Sequence, residues 1–313
     1  MSKFTDKFTD KLKDMTMSAV MPLLPKDDLS YWVGRLVHQP LPEALRVPSM
    51  RSFAKAYNID LSEAEKTLED YKSIGDLFTR RLKEDARPLG AGLVHPCDSR
   101  IAEAGVIENG NITQVKGIEY SVPALLQSEE MASRFADGEF VTYYLCPTDY
   151  HRVHTPMDVS VEWVSHIPGA FWPVNSWSVR NVNQLYTVNE RVAMVFRTNE
   201  GESLALVMVA ATNVGSISIA FDERINSEKR PAGRKKTEYV YGGDTFHSSK
   251  EPIGAGKHPP VHLKKGAEVG VFSMGSSVVM LLDKTLAARL GPNPAGLAAL
   301  REKAVKLGQT VRR

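Results

Sequence analysis

The stretch Val269-Gly-Val-Phe-Ser-Met-Gly-Ser-Ser-Val-Val-Met-Leu-Leu282 reads as two strands meeting at a short polar loop. Met274-Gly275-Ser276-Ser277 breaks the apolar pattern with two hydroxyls placed directly after a glycine. A buried strand would normally carry only apolar side chains there. Such a Gly-Ser pair can mark a turn or a bulge. It can also be a site of backbone self-cleavage, because glycine leaves its carbonyl open to attack and tolerates strained angles. Ser276 would then be the nucleophile, and the bond broken would be Gly275–Ser276.

Outward from this stretch the chain divides into a helical beginning and a β-rich remainder. Phe140–Leu145, Val159–Val164, Arg191–Phe196 and Ser203–Val209 carry the clearest strand patterns. Up to about Pro88 the pattern is helical. Ser62-x-x-Glu65 forms a capping box that predicts a helix through Asp70, and Ile74–Leu82 reads as another helix. Glu223–Pro260 is a polar excursion, and the alanine-rich segment Ala287–Arg301 is broken at Gly291-Pro292 and Pro294, with a mobile end expected after it. The expected fold is α+β, a helical N-terminal arm (residues 1–90) on a mostly antiparallel β core (residues 91–313).

Composition sets broad limits. The 313 residues carry 39 basic and 37 acidic side chains, a net charge of +2, so bulk charge does not argue for a nucleic-acid partner. Lys3–Asp14 is too charged for a secretory signal, and no apolar run is long enough to span a bilayer. Amphipathic spacing at Phe4, Phe8 and Leu12, and again at Leu29, Trp32, Val33, Leu36 and Val37, predicts helices suited to a membrane interface or to the protein's own core. Basic residues at Lys229-Arg230, Arg234–Lys236, Arg301, Lys303, Lys306, Arg312 and Arg313 could add attraction to anionic lipid or form ordinary solvated surface. Cys97 and Cys146, two lone cysteines, read as buried thiols.

Chemistry gathers at Asp98 and at Pro147-Thr-Asp-Tyr-His-Arg-Val-His154. Asp, His and Ser can form a charge relay in which Asp orients His and His takes the serine proton. His151 and His154 also suggest a metal pair, but no further ligands lie at metal spacing, so no metal is expected. Arg152 could meet a substrate anion or form a structural salt bridge.

Tyr150–His154, Ile167-Pro-Gly169, Val174-Asn175, Asn189-Glu-Arg191, Val214-Gly-Ser216 and Lys265–Phe272 precede Gly275-Ser276 in that order. From about Tyr31 through Leu282 the chain resembles the phosphatidylserine decarboxylase family, in its prokaryotic type I-like, pyruvoyl-dependent form. The resemblance implies a proenzyme that cuts itself at Gly275–Ser276 into residues 1–275 (the β chain) and 276–313 (the α chain), which stay together, with a higher oligomer left open. Ser276 would become a covalent pyruvoyl cofactor that forms a Schiff base with phosphatidylserine and releases CO2, leaving phosphatidylethanolamine. Carried over by position, Asp98, His154 and Ser276 are the relay, while His151, Ser277 and Asn175 are supporting or substrate-binding. Met274-Gly-Ser-Ser277 stands where Leu-Gly-Ser-Thr is usual, a nearly volume-conserving change that keeps the hydroxyl. Ser99 follows Asp98 where glycine is usual. The implied location is the cytoplasmic face of a bacterial inner membrane, held peripherally.

Two other classes use parts of the same pattern. A serine hydrolase would need Gly-x-Ser-x-Gly before a helix, which Gly275-Ser-Ser-Val278 lacks. A lipoyl- or biotinyl-type carrier would need a lysine on a tight hairpin where Ser276 stands.

Overall fold

In a computed structural model of the chain, residues 35–115, 118–212, 216–225, 235–242, 257–273, 276–291 and 297–312 are described. The N-terminal part contains helix α1 (Glu43–Ala56) and the short helix α2 (Ile74–Phe78). Strands β1 (Leu93–Val94) and β2 (Ser99–Val106) lead into the hairpin β3 (Asn111–Val115) and β4 (Ile118–Ser121), then helices α3 (Val122–Leu126) and α4 (Glu129–Ser133). Strands β5 (Glu139–Leu145), β6 (Arg152–His154) and β7 (Val159–Ile167) precede helices α5 (Ser176–Asn181) and α6 (Leu185–Val188). Next come β8 (Arg191–Thr198), β9 (Ser203–Ala210), β10 (Ile217–Ile219), β11 (Thr237–Tyr241), β12 (Lys257–His258) and β13 (Val261–Leu263). The chain closes with β14 (Glu268–Phe272), β15 (Ser276–Leu282), helix α7 (Lys284–Leu290), β16 (Ala304–Val305) and β17 (Thr310–Arg312).

Runs that are apolar on both faces go to the middle of a sheet, and β8, β9 and β15 do so. A ten-stranded sheet runs β12-β11-β7-β8-β9-β15-β5-β2-β16, with β13 beside β7. All its pairs are antiparallel except β11 with β12. Every residue of β15 is buried, and Ser276 pairs with Leu145 on one side and Ala210 on the other. β14 belongs to a smaller sheet, ordered β10-β14-β6. The chain therefore crosses from one sheet to the other between Phe272 and Ser276. Met274 and Gly275 lie outside the described residues.

The mixed α and β architecture, mostly antiparallel with a small helical N-terminal part, agrees with the expected fold class. Several local expectations are corrected. No helix follows Ser62, because Asp60 captures both its backbone N–H (2.9 Å) and its hydroxyl (2.7 Å). Ala64 instead bridges Leu82, and the capping box sits five residues later, at Thr67 and Asp70, over a single 3-10 turn. The helix expected over Ile74–Leu82 ends at Phe78, where the Thr79 hydroxyl bonds back to the Gly75 carbonyl at 2.9 Å. Most of the amphipathic N-terminal pattern lies outside the described residues, as do Lys229, Arg230, Arg234 and Arg313. Of that pattern's described part, Leu36 is 72% exposed.

The C-terminal end is ordered rather than mobile. β16 pairs with β2, and β17 pairs with β1. Its basic residues serve the fold: Arg301 pairs with Glu103, Lys306 with Glu63 at 3.2 Å, and buried Arg312 with Glu139. Arg312 also donates to the Gly291 carbonyl at 3.0 Å. Replacing Arg312 by Met should cost about 2–3 kcal/mol, because Glu139 loses its partner at a mostly buried site. Urea midpoints of an uncut Ser276→Ala background test this against exposed Lys303→Ala. A midpoint shift for Arg312→Met no larger than that control's would contradict it.

Candidate active site

Ser276 opens β15 from below an aromatic cavity of about 180 Å³. Phe53 of α1, Tyr57 just after it and Phe78 of α2 line it, together with Tyr144, Pro147, Val174, Asn175 and Thr212. The small helical part thus covers Ser276 with rings. The Ser276 hydroxyl is buried and has no hydrogen-bond partner among the described residues, and the same holds for Ser277. A buried hydroxyl left unpaired costs free energy unless something meets it. Asn175 caps α5 through its side-chain oxygen, which accepts from Ser178 at 2.9 Å. It stands where this cavity meets a larger one of about 650 Å³.

Asp98 is held from two directions. Arg87 grips its carboxylate through Nε (2.9 and 3.1 Å) and Nη2 (2.6 Å), and the Leu307 N–H donates to it at 2.8 Å. Arg87 also binds Glu63 at 2.8 Å, holding that carboxyl below its ordinary range. One ion network therefore ties the N-terminal part, the β core and the C-terminal end together.

His154 faces a third cavity, of about 510 Å³, which Arg87, Tyr150, Glu268 and Leu307 also line. Its Nδ1 lies 2.8 Å from the Gly266 carbonyl, so Nδ1 carries the proton and donates. Its Nε2 keeps the lone pair and receives the Tyr150 hydroxyl at 3.3 Å. Gly266 sits at φ +81° against Leu89, so a side chain there would be strained and blocked. Burial lowers the pKa of His154, opposed first by the hydrogen bond to Gly266 and then by the charges of Glu268 and, least, Asp98. Among the described residues no hydrogen bond joins Asp98, His154 and Ser276 directly. Asp98 and His154 share one neighbourhood, and Ser276 opens onto another.

His151 is completely buried and adjoins the serine cavity, its ring 4.0 Å from that of Phe78. Its Nδ1 donates to the Asp149 carbonyl at 2.9 Å, and its Nε2 has no partner among the described residues. Burial pushes its pKa down to about 3, and the nearby Arg80 charge adds to this. The two histidines thus have different surroundings: His154, within β6, lines the cavity of about 510 Å³, whereas His151, just before β6, packs on Phe78 behind the serine cavity.

Other motif residues prove structural. Arg152 pairs with Glu268 at 2.7 Å. Asn189 binds the Trp172 backbone and donates to the Ala210 carbonyl at 2.9 Å, which fixes the strand partner of Ser276. Arg191 is buried and donates to the carbonyls of Ala124, Leu125, Thr187 and Asn189. Val214 and Gly215 lie outside the described residues. Cys97 is buried and Cys146 partly so, both as free thiols.

The sequence reading did not single out Arg87, Leu307, Phe53, Tyr57 or Phe78. Only Tyr150, inside the quoted Tyr150–His154 motif, offered a local signal. The rival classes fit poorly: a strand rather than a helix follows Ser276, and the Lys265 amine is spent on the Gly90 carbonyl at 2.7 Å.

Stability should respond to these neutral histidines. His95, beside Tyr143, is lowered to about 4 by burial, His151 to about 3, and His154 is lowered as well. Above pH ~6.5 these rings are neutral in both folded and unfolded states. Below it the unfolded chain binds protons that the fold refuses, so stability falls by about 1.4 kcal/mol per pH unit for each ring. Urea midpoints of Ser276→Ala protein should drop clearly between pH 7.5 and 5.5. Equal midpoints would contradict this.

Residues 74–313 match the family described as phosphatidylserine decarboxylase. The chain is 39% identical over 275 residues to the phosphatidylserine decarboxylase proenzyme of Myxococcus xanthus (strain DK1622), covering 87% of this chain and 91% of that protein. It is 37% identical over 288 residues to the proenzyme of the same name from Anaeromyxobacter sp. (strain K), covering 91% and 95%. Against the Idiomarina loihiensis protein of that name it is 40% identical over 240 residues, 75% of this chain and 77% of the other.

Proposed function

The chain belongs to the phosphatidylserine decarboxylase family, and on that premise we propose that it cuts itself at Gly275–Ser276 and decarboxylates phosphatidylserine with a pyruvoyl group made from Ser276. The observation that carries this reading is the unpartnered, buried Ser276 hydroxyl at the first residue of a central strand, beside an aromatic cavity. The residues fit such a group. The cavity of about 180 Å³ has room for a small polar head group, and its rings keep bulk water away.

In self-cleavage His154 takes the Ser276 proton and Asp98 stabilises the resulting imidazolium through its charge. The tautomer suits this, since Gly266 fixes the proton on Nδ1 and leaves Nε2 basic. Tyr150 holds that nitrogen in the uncut chain, so the Ser276 hydroxyl must replace it. Arg87 and the Leu307 N–H keep the Asp98 carboxylate in place.

A pyruvoyl group at position 276 supplies a ketone conjugated to an amide, an electron sink for the pair released with CO2. His151 acts on the substrate amine, which must lose a proton before it can react. Its lone-pair Nε2 is free to accept that proton, with the ring oriented by the Asp149 carbonyl. Asn175, at the junction of two cavities, positions the head group.

The two cleaved chains stay together because β15 remains between β5 and β9, and β16 and β17 remain on β2 and β1. Among the described residues no helix is long and apolar enough to cross a membrane. Lipid approach is peripheral, at the cytoplasmic face, with the helical part foremost. Leu36 and Leu45 are exposed there, and Tyr57 lines the serine cavity.

Separate variants test the two histidine roles. His154→Ala should remain a single uncut chain. His151→Gln should still yield both chains, while CO2 release from carboxyl-labelled phosphatidylserine in vesicles falls on the order of 10²-fold. Normal cleavage in His154→Ala, or full CO2 release in His151→Gln, would refute the assignment concerned.

A further inference from the structure

The ion pair that Arg152 makes with Glu268 does more than join β6 to β14. Glu268 is the register partner of His154, so both side chains leave the smaller sheet on one face, with Cβ atoms roughly 5 Å apart. Arg152, two residues before His154 on the same strand, shares that face. His154 and Glu268 also line the same cavity of about 510 Å³. Arg152 is held from two sides: Nε donates to the Thr79 carbonyl at 3.0 Å and Nη1 to Glu268 Oε1 at 2.7 Å. The two side chains are only 14% and 18% exposed, so water screens their charges poorly and the neighbouring ring feels both.

The remaining charges around His154 are mixed in sign. Arg81 reaches the second oxygen of Glu268 at 3.7 Å from an exposed position. Arg87 is spent on Asp98 and Glu63, and the Lys83 amine on the Ser62 carbonyl. Glu65 and Glu84 complete the charged lining of the cavity. Burial pushes the Tyr150 phenol up to about 12, so it meets His154 Nε2 as a neutral hydroxyl. Within this set Glu268 and Arg152 pull the ring in opposite directions. The carboxylate favours its charged form, by more than Asp98 does, and the guanidinium disfavours it.

We propose that Glu268 is a positioning carboxylate for self-cleavage, whose charge, metered by Arg152, stabilises the imidazolium formed when His154 takes the Ser276 proton. The proposal rests on the self-cleavage reading. In that step the Ser276 hydroxyl proton passes to Nε2, and the serine oxygen bonds the Gly275 carbonyl carbon. The Gly275–Ser276 C–N bond then breaks, and the imidazolium returns its proton to the freed nitrogen. The ring is charged only between these two transfers, and a carboxylate placed opposite it in advance lowers the barrier there.

Glu268→Gln and Arg152→Gln break the same ion pair, so loss of structure and loss of charge predict different results. In uncut Ser276→Ala protein carrying nitrogen-15-labelled histidine, NMR follows the titration of His154, its signal assigned with His154→Gln. Glu268→Gln should move the midpoint to lower pH and Arg152→Gln to higher pH. Arg81→Gln, at an exposed residue whose loss leaves the core intact, should raise it as well. Midpoints that stay in place, or that move the same way in Glu268→Gln and Arg152→Gln, would overturn the proposal. With Ser276 restored, chains made by cell-free translation are followed on gels at pH 7.5. Glu268→Gln should cleave on the order of tenfold more slowly than wild type, and more slowly than Arg152→Gln. A wild-type rate in Glu268→Gln would overturn its part in the reaction. A wild-type chain that never cleaves would overturn the self-cleavage reading, while the NMR midpoints still decide whether the pair acts on His154.

Discussion

Everything at the site depends on β15 lying between β5 and β9. Its seven buried side chains, Ser276 to Leu282, can be covered on both faces only in the middle of the large sheet. That burial fixes position 276 to within a strand register, since a slip of one residue would turn every side chain to the other face. It also separates the covalent chain from the fold. The crossing between Phe272 and Ser276 joins two sheets, so a cut at Gly275–Ser276 severs a connection and leaves the described β15 pairing intact.

Charge organises the second half of the site. Glu63, Arg87, Asp98 and Lys306 form one network in a partly buried setting, where each ion is worth keeping only if its partners stay in place. The network holds Asp98 near His154 and fastens the C-terminal end to the N-terminal part and the β core. The same low-dielectric interior keeps His151 and His154 neutral. In such surroundings each histidine keeps a defined tautomer, with its proton on Nδ1 and donated to a backbone carbonyl.

Runs that are apolar throughout, such as Leu204–Val209 and Val278–Leu282, were legible because their pattern is local and unbroken. The helices forecast over Ser62–Asp70 and Ile74–Leu82 were shortened by side chains that bond their own backbone: Ser62 is captured by Asp60, and Thr79 bonds back to Gly75. The C-terminal strands are too short to show a period, and their order comes from distant partners such as Leu93 and Ser99. Ser276 and the two histidines could be found from their motifs. Arg87 on Asp98 and Phe78 on His151 could not, because those contacts join segments far apart in sequence and leave no spacing to read.

The most direct test of the central claim is intact-protein mass spectrometry of the purified chain beside a Ser276→Ala control. The account predicts two species, residues 1–275 and residues 276–313 with a pyruvoyl end, and a single full-length species in the control. An unmodified full-length wild-type chain would contradict it.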